Sequence, residues 1–199
     1  MAYNGKIISR IIDNIQGKGD LMGVIFVAGV YGVGKSTLCQ NLSVELEMPA
    51  FSAGDLISAV NGEIYGVNKN VTNKFINQDI LSQVVHNQLQ VNSQILLAGH
   101  FCIFDREYKV DCLPESIFEY VDMESILLLE ADINRIIENL SKRDKKNYTY
   151  DQLSALAVAE QEAALRVAKK TGCNFLIHKM QFNKADISAC ISKLKGGHN

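Results

Sequence analysis

The feature that most constrains this chain is the run Gly29-Val30-Tyr31-Gly32-Val33-Gly34-Lys35-Ser36, which fulfils G-x-x-x-x-G-K-[ST] at every position. It stands where that pattern has a structural meaning. The continuous apolar segment Val24-Ile25-Phe26-Val27-Ala28 precedes it, and a helical pattern from Thr37 to Leu46 follows it. A strand, a glycine-rich loop and a helix in that order predict a cradle of backbone N–H groups at a helix amino terminus, a site for the phosphates of a nucleoside triphosphate. Gly29, Tyr31, Gly32, Val33, Gly34, Lys35, Ser36 and Thr37 are therefore the expected nucleotide-binding residues. Lys35 is placed to bridge the terminal phosphates, and the Ser36 hydroxyl to ligate Mg²⁺.

Further buried-strand patterns occur at Ile95–Ala98, Ile126–Leu129 and Phe175–Ile177, with a shorter one around Ala50–Ser52. Helical patterns over Thr72–Gln90, Ile133–Leu140, Tyr150–Lys170 and Lys184–Leu194 lie between and after them. Strands alternating with helices predict right-handed crossovers and an α/β fold. It has a central parallel sheet of about five strands with helices on both faces, the phosphate-loop NTPase arrangement. Residues Phe101 to Val110 read as a small hairpin with a charged turn. Isoleucines 7, 8, 11, 12 and 15 share one face of an amphipathic helix within residues 1–20, able to pack on the domain or on a second copy of the chain. Residues 21–199 are expected to form the phosphate-loop domain, with no internal repeat.

Composition bounds the partners. Twenty basic residues against 22 acidic ones give a net charge of −2, which argues against a nucleic-acid-binding face but leaves room for one local anion site. No apolar stretch approaches the roughly 18 residues a membrane span needs. The first twenty residues carry no apolar core of a secretory signal, so a cytoplasmic protein without a membrane partner is expected. Five scattered cysteines without C-x-x-C spacing read as reduced and mostly buried.

From Val24 to Ile177 the chain resembles the phosphate-loop nucleotide and small-metabolite kinases of the adenylate-kinase type, especially the shorter archaeal-type enzymes and their bacterial relatives. The specific part of that likeness is the phosphate loop. Phe51-Ser52-Ala53-Gly54-Asp55-Leu56-Ile57-Ser58 resembles the family's Ser-Thr-Gly-Asp run, which makes Ser52 and Asp55 acceptor-binding candidates or a plain helix cap. Ser58 stands where the family has the arginine that grips an acceptor phosphate, which argues against AMP itself. Ala98 stands at the usual third-strand aspartate, and His100 where archaeal-type relatives also have a histidine. Lys69 and Gln78 fall in the stretch that forms the family's acceptor region.

The resemblance makes Arg143 the arginine that opens a short lid over residues 142–150, unless Lys142 to Lys146 is a solvated charge run. Arg166 and Arg106 are weaker candidates for the same role, and Arg135 reads equally as an exposed helix residue. Asp105 reads as a turn aspartate or a carboxylate near the metal. Glu130, after Ile126–Leu129, reads as a Walker-B-type acid that binds Mg²⁺ or polarises water, or as part of the run into the next helix with Asp132 as its cap. Lys35, Arg143 and His100 are thus the catalytic candidates. The expected activity is ATP- and Mg²⁺-dependent phosphoryl transfer to a nucleotide, nucleoside or other small acceptor. A nucleotide-driven switch or ATPase acting on a protein partner is the alternative.

Overall fold

A computed structural model describes residues 23–61, 74–143 and 147–196, with the side chains at 60–61 and 74–80 outside the description. The N-terminal isoleucine helix and Lys69 lie outside the described residues, as does the side chain of Gln78.

Five strands form one parallel sheet. They are β1 (Gly23–Ala28), β2 (Ala50–Ser52), β3 (Gln94–Ala98), β6 (Met123–Glu130) and β7 (Asn174–Lys179), in the spatial order β2-β3-β1-β6-β7. The sheet is all-parallel and covered by helices, so its central strands must be apolar on both faces. Every residue of β1 is buried, and Ile95, Leu96, Leu97 and Ile126 are wholly enclosed. From β1 the chain crosses to β2 at one edge and returns to β3 between them, then passes to the other side of β1 for β6 and β7. The loop after β1 therefore emerges where the strand order reverses, the place where open α/β sheets bind ligands.

The helices around the sheet are α1 (Lys35–Glu45), α2 (Ala53–Asn61), α3 (Lys74–Leu89), α4 (Ser116–Glu119), α5 (Ile133–Arg143), α6 (Tyr150–Thr171) and α7 (Ala185–Gly196). The longest, α6, opens with a capping box. The Thr149 hydroxyl accepts from the Gln152 N–H at 3.2 Å, and the Gln152 side chain accepts from the Thr149 N–H at 3.0 Å. It closes on Gly172 with φ 74°, the left-handed ending glycine supplies. Leu153, Leu156, Ala163, Ala164 and Val167 recur on its inner face and pack into the single core.

A two-stranded antiparallel unit, β4 (Cys102–Phe104) with β5 (Val110–Cys112), stands beside the main sheet. Its turn is built by Asp105, whose carboxylate accepts from the N–H groups of Glu107 and Lys109 at 2.8 and 2.9 Å. That is the turn role for Asp105 rather than the metal role. The register sets Cys102 opposite Cys112, and the two are joined in a disulfide. This corrects the reading of all five cysteines as reduced. The partners are set by hairpin register, which spacing along the chain does not display. Cys39, Cys173 and Cys190 are free, and burial pushes the Cys39 and Cys190 thiols up to about 12.

Candidate active site

The phosphate loop is shaped by glycines where no other residue fits. Gly29 has φ 138°, and a Cβ there would sit 2.6 Å from the Leu129 carbonyl oxygen of the neighbouring strand. Gly34, at φ 98°, caps α1 in a left-handed conformation and turns the chain into the helix. Asn139 of α5 braces the loop from outside, its amide donating to the Gly32 carbonyl at 3.0 Å. Lys35 Nζ folds back and donates to the carbonyls of Gly29 at 2.6 Å and Val30 at 3.0 Å. An ammonium resting on carbonyl dipoles exchanges those contacts for phosphate oxygens when an anion enters.

This loop forms one wall of a cavity of about 1390 Å³. Single small-ligand sites run to roughly 300–1,000 Å³, so there is room for more than one small molecule. Tyr31, Gly32, Gly34, Lys35, Ser36 and Thr37 all line it. Gly29 and Val33 do not: Val33 is fully buried beneath the loop, so these two shape the cradle from below.

Ser52 and Asp55, at the start of α2, line the same cavity, as does His100 just beyond β3. The Ser52 hydroxyl also accepts from the Asp55 N–H at 3.3 Å, so the capping and cavity-lining readings are both realised. Ser58, at the family's arginine position, is 9% exposed and donates to the Gly54 carbonyl at 2.8 Å, turned into its own helix. Around these polar groups the wall is apolar, with Ile57, Ala98, Ile103 and Leu113 among its members.

Arg143, the last residue of α5, lines the cavity, and residues 144–146 beyond it lie outside the description. The other side of that segment is ordered on aromatic rings. Tyr148 stacks 5.7 Å from Phe104 and 6.4 Å from Tyr31, and Tyr31 in turn lies 4.6 Å from the His100 ring. The remaining arginines are elsewhere. Arg166 pairs with Glu115 at 3.2 Å, Arg135 pairs with Glu138 and lies 5.5 Å over the Phe182 ring, and Arg106 is exposed in the hairpin turn. Glu130 at the end of β6 is not among the cavity's lining residues.

For Mg²⁺ the test is the donor set. The exposed Ser36 hydroxyl and the Asp55 carboxylate line the same cavity as Lys35. Among the described residues no cluster of three or more His, Cys, Asp or Glu forms a cage. That set fits Mg²⁺, which keeps several waters and takes its remaining ligands from one or two protein oxygens and the phosphates.

Two parts of the site were not anticipated. One is the segment after β7, where Met180, Phe182, Asn183 and Lys184 line the cavity, with Met180 and Phe182 beside the cap of the loop's helix. Phe182 holds φ 58°, and its ring would lie 3.7 Å from a Cβ at Gly34. The Asp186 carboxylate fixes this turn, accepting from His178 at 2.8 Å and from the N–H groups of Gln181 and Asn183 at 2.9 and 3.0 Å. Burial alone raises its pKa, but those two amides and the imidazole outweigh it and hold the carboxyl below its ordinary value. The other is Glu160 on α6, buried against the first residue of the phosphate loop.

Among solved structures the chain is similar to shikimate kinase from Bacteroides thetaiotaomicron at TM-score 0.55 and 14% identity, covering 88% of this chain and 97% of that one. A shikimate kinase from Acinetobacter baumannii in complex with shikimate gives 0.56 at 11%, covering 90% and 96%. The enzyme from Aquifex aeolicus gives 0.53 at 14%, covering 87% and 96%. At these identities the likeness establishes the phosphate-loop kinase fold. No curated protein sequence matches the chain. A family model described as an AAA domain matches residues 28–157, well over half of the sequence, from the strand before the loop into α6. The chain belongs to that AAA domain family.

Proposed function

We propose that the protein transfers the terminal phosphoryl group of ATP to a hydroxyl of a small acceptor, a nucleoside, nucleotide or other hydroxyl compound. One observation carries the reading. A phosphate loop with an anion-ready lysine opens into the same large cavity as a second set of polar groups, Ser52, Asp55 and His100, set in an apolar wall. A site that only hydrolysed nucleotide would have no use for that second pocket.

In this reading the loop amides and Lys35 align the phosphates, and Arg143 approaches from the lid side as charge spreads over the equatorial oxygens. Ser36 would hold Mg²⁺, which neutralises phosphate charge when bound. Ser52 and Asp55 orient the acceptor hydroxyl. Its oxygen forms the new P–O bond while the bond to the bridging β-oxygen breaks. The hydroxyl proton passes to the Asp55 carboxylate, and ADP leaves with the electron pair. His100 packs against Tyr31 and sets the edge between the two pockets. With Ser58 turned inward, the position of the phosphate-gripping arginine offers no cation, which favours a nucleoside or another acceptor without a phosphate over AMP.

An acceptor panel tests this. ADP release with Mg²⁺ and ATP is followed while nucleosides, nucleoside monophosphates, sugars and hydroxy acids, shikimate included, are added singly. The expected result is stimulation of about tenfold or more by one chemical class. Slow hydrolysis that no acceptor stimulates would instead favour a nucleotide-driven switch.

A further inference from the structure

Glu160 sits mid-way along α6 at 1% exposure, and the transfer step just described does not use it. Its carboxylate accepts three backbone N–H groups from two separate segments. Oε1 takes Gly29 at 3.1 Å, and Oε2 takes Phe101 at 2.9 Å and Cys102 at 2.6 Å. The first is the opening residue of the phosphate loop. The other two directly follow His100 on the acceptor side of the cavity. A carboxylate is costly to bury, and an apolar residue would fill the space as well. What the carboxylate adds is a rigid bridge between two loops.

We propose that Glu160 is a positioning residue that couples the phosphate loop to the His100 bend, so that nucleotide in the loop orders the acceptor wall. This rests on the phosphoryl-transfer reading. Gly29 is the joint: its carbonyl accepts from Lys35 and its N–H donates to Glu160. When a triphosphate draws the ammonium away from that carbonyl, the change reaches Glu160 through one residue. The two amides on Oε2 then carry it to the segment that holds His100. Both sites bias one shared set of hydrogen bonds, which is the physical content of a coupling between them.

The test is amide hydrogen exchange by mass spectrometry on the full chain, wild type and Glu160→Gln, with and without a non-hydrolysable ATP analogue and Mg²⁺. Glutamine keeps the shape but presents an NH₂ to one of the two sets of N–H donors, so only one segment stays bonded. In the wild type, nucleotide should slow exchange in peptides covering residues 27–36 and 99–104 together. In Glu160→Gln, protection of the loop should stay within about twofold, while protection at 99–104 falls about fivefold or more. ATP turnover should drop about tenfold at saturation with the KM for ATP changed less than about threefold.

Equal protection of both segments in the variant overturns the coupling. So does a variant whose exchange rises throughout the molecule without nucleotide, which marks a purely structural role. A wild-type loop that nucleotide leaves unprotected defeats the triphosphate reading itself, and this proposal with it. Should Glu160→Gln not fold, Glu160→Met fills the same volume without polar atoms, and the same pattern is expected of it.

Discussion

At the scale of single residues, Lys35 bears the phosphate chemistry proposed for this loop. Its ammonium donates to two loop carbonyls in a partly buried setting, contacts worth about 1 kcal/mol to folding. Transition-state charge on the phosphoryl group would lose its nearest fixed cation, a far larger effect. Lys35→Ala should therefore cut ATP turnover by about 10²-fold or more while the denaturant midpoint barely moves. Paired rate and unfolding measurements check this, and a variant near the wild-type rate contradicts the assignment. Residue types explain why Lys35, Ser36 and the loop glycines were legible in sequence: each is fixed by a local backbone demand that a short motif records. Glu160 was not, because its three partners come from residues far away in the chain and only the folded core joins them. On the helix it is one more polar residue in a long amphipathic pattern.

Elements were legible where their periodicity was strong. All five sheet strands and the long helices fall on the apolar patterns that predict them, because a parallel sheet buried on both faces leaves its strands no other composition. Less visible were the short features whose partners are set by register. The Cys102–Cys112 bond exists because β4 and β5 pair with those residues opposed, and it closes a loop of sequence separation 10. Closing so short a loop is worth about 2–3 kcal/mol. A reductant, or Cys112→Ser, should lower unfolding stability by about that amount, and reductant should have no further effect on the variant. Denaturation curves that coincide with and without reductant would contradict the pairing.

The turn between β7 and α7 makes a pH prediction. The folded-state pKa of Asp186 is held below its unfolded value, so its contribution is fully present above the ordinary carboxyl pKa of about 4. As pH falls below about 4, the unfolded chain takes up a proton that the folded Asp186 still refuses, and stability is lost. Wild-type stability should therefore decline more steeply with acid in that window than that of Asp186→Asn. Parallel acid limbs would show that the carboxylate does not support the turn. Phe182 and Met180 on this turn escaped the sequence because a lone aromatic after a strand carries no pattern that says which cavity it will wall.

The molecule as a whole couples a sheet whose strand order reverses at β1 to one cavity lined by the phosphate loop and by Ser52, Asp55 and His100. The near-neutral charge of −2 agrees with the proposed scale, in which amides, one lysine and one arginine would hold a single triphosphate without a basic surface. The alternating strands and helices made this architecture readable. The proposed acceptor pocket was only half readable, because its apolar members Ile57, Ile103 and Leu113 come from α2, β4 and the residue after β5 and look like ordinary core residues in sequence. In the proposed reaction the phosphoryl group leaves ATP for a small acceptor and not for water. Phosphorus NMR of a reaction with the acceptor class that stimulates turnover measures this directly: one new phosphate-ester signal should appear for each ADP formed. ADP accompanied only by inorganic phosphate, whatever acceptor is present, would contradict it.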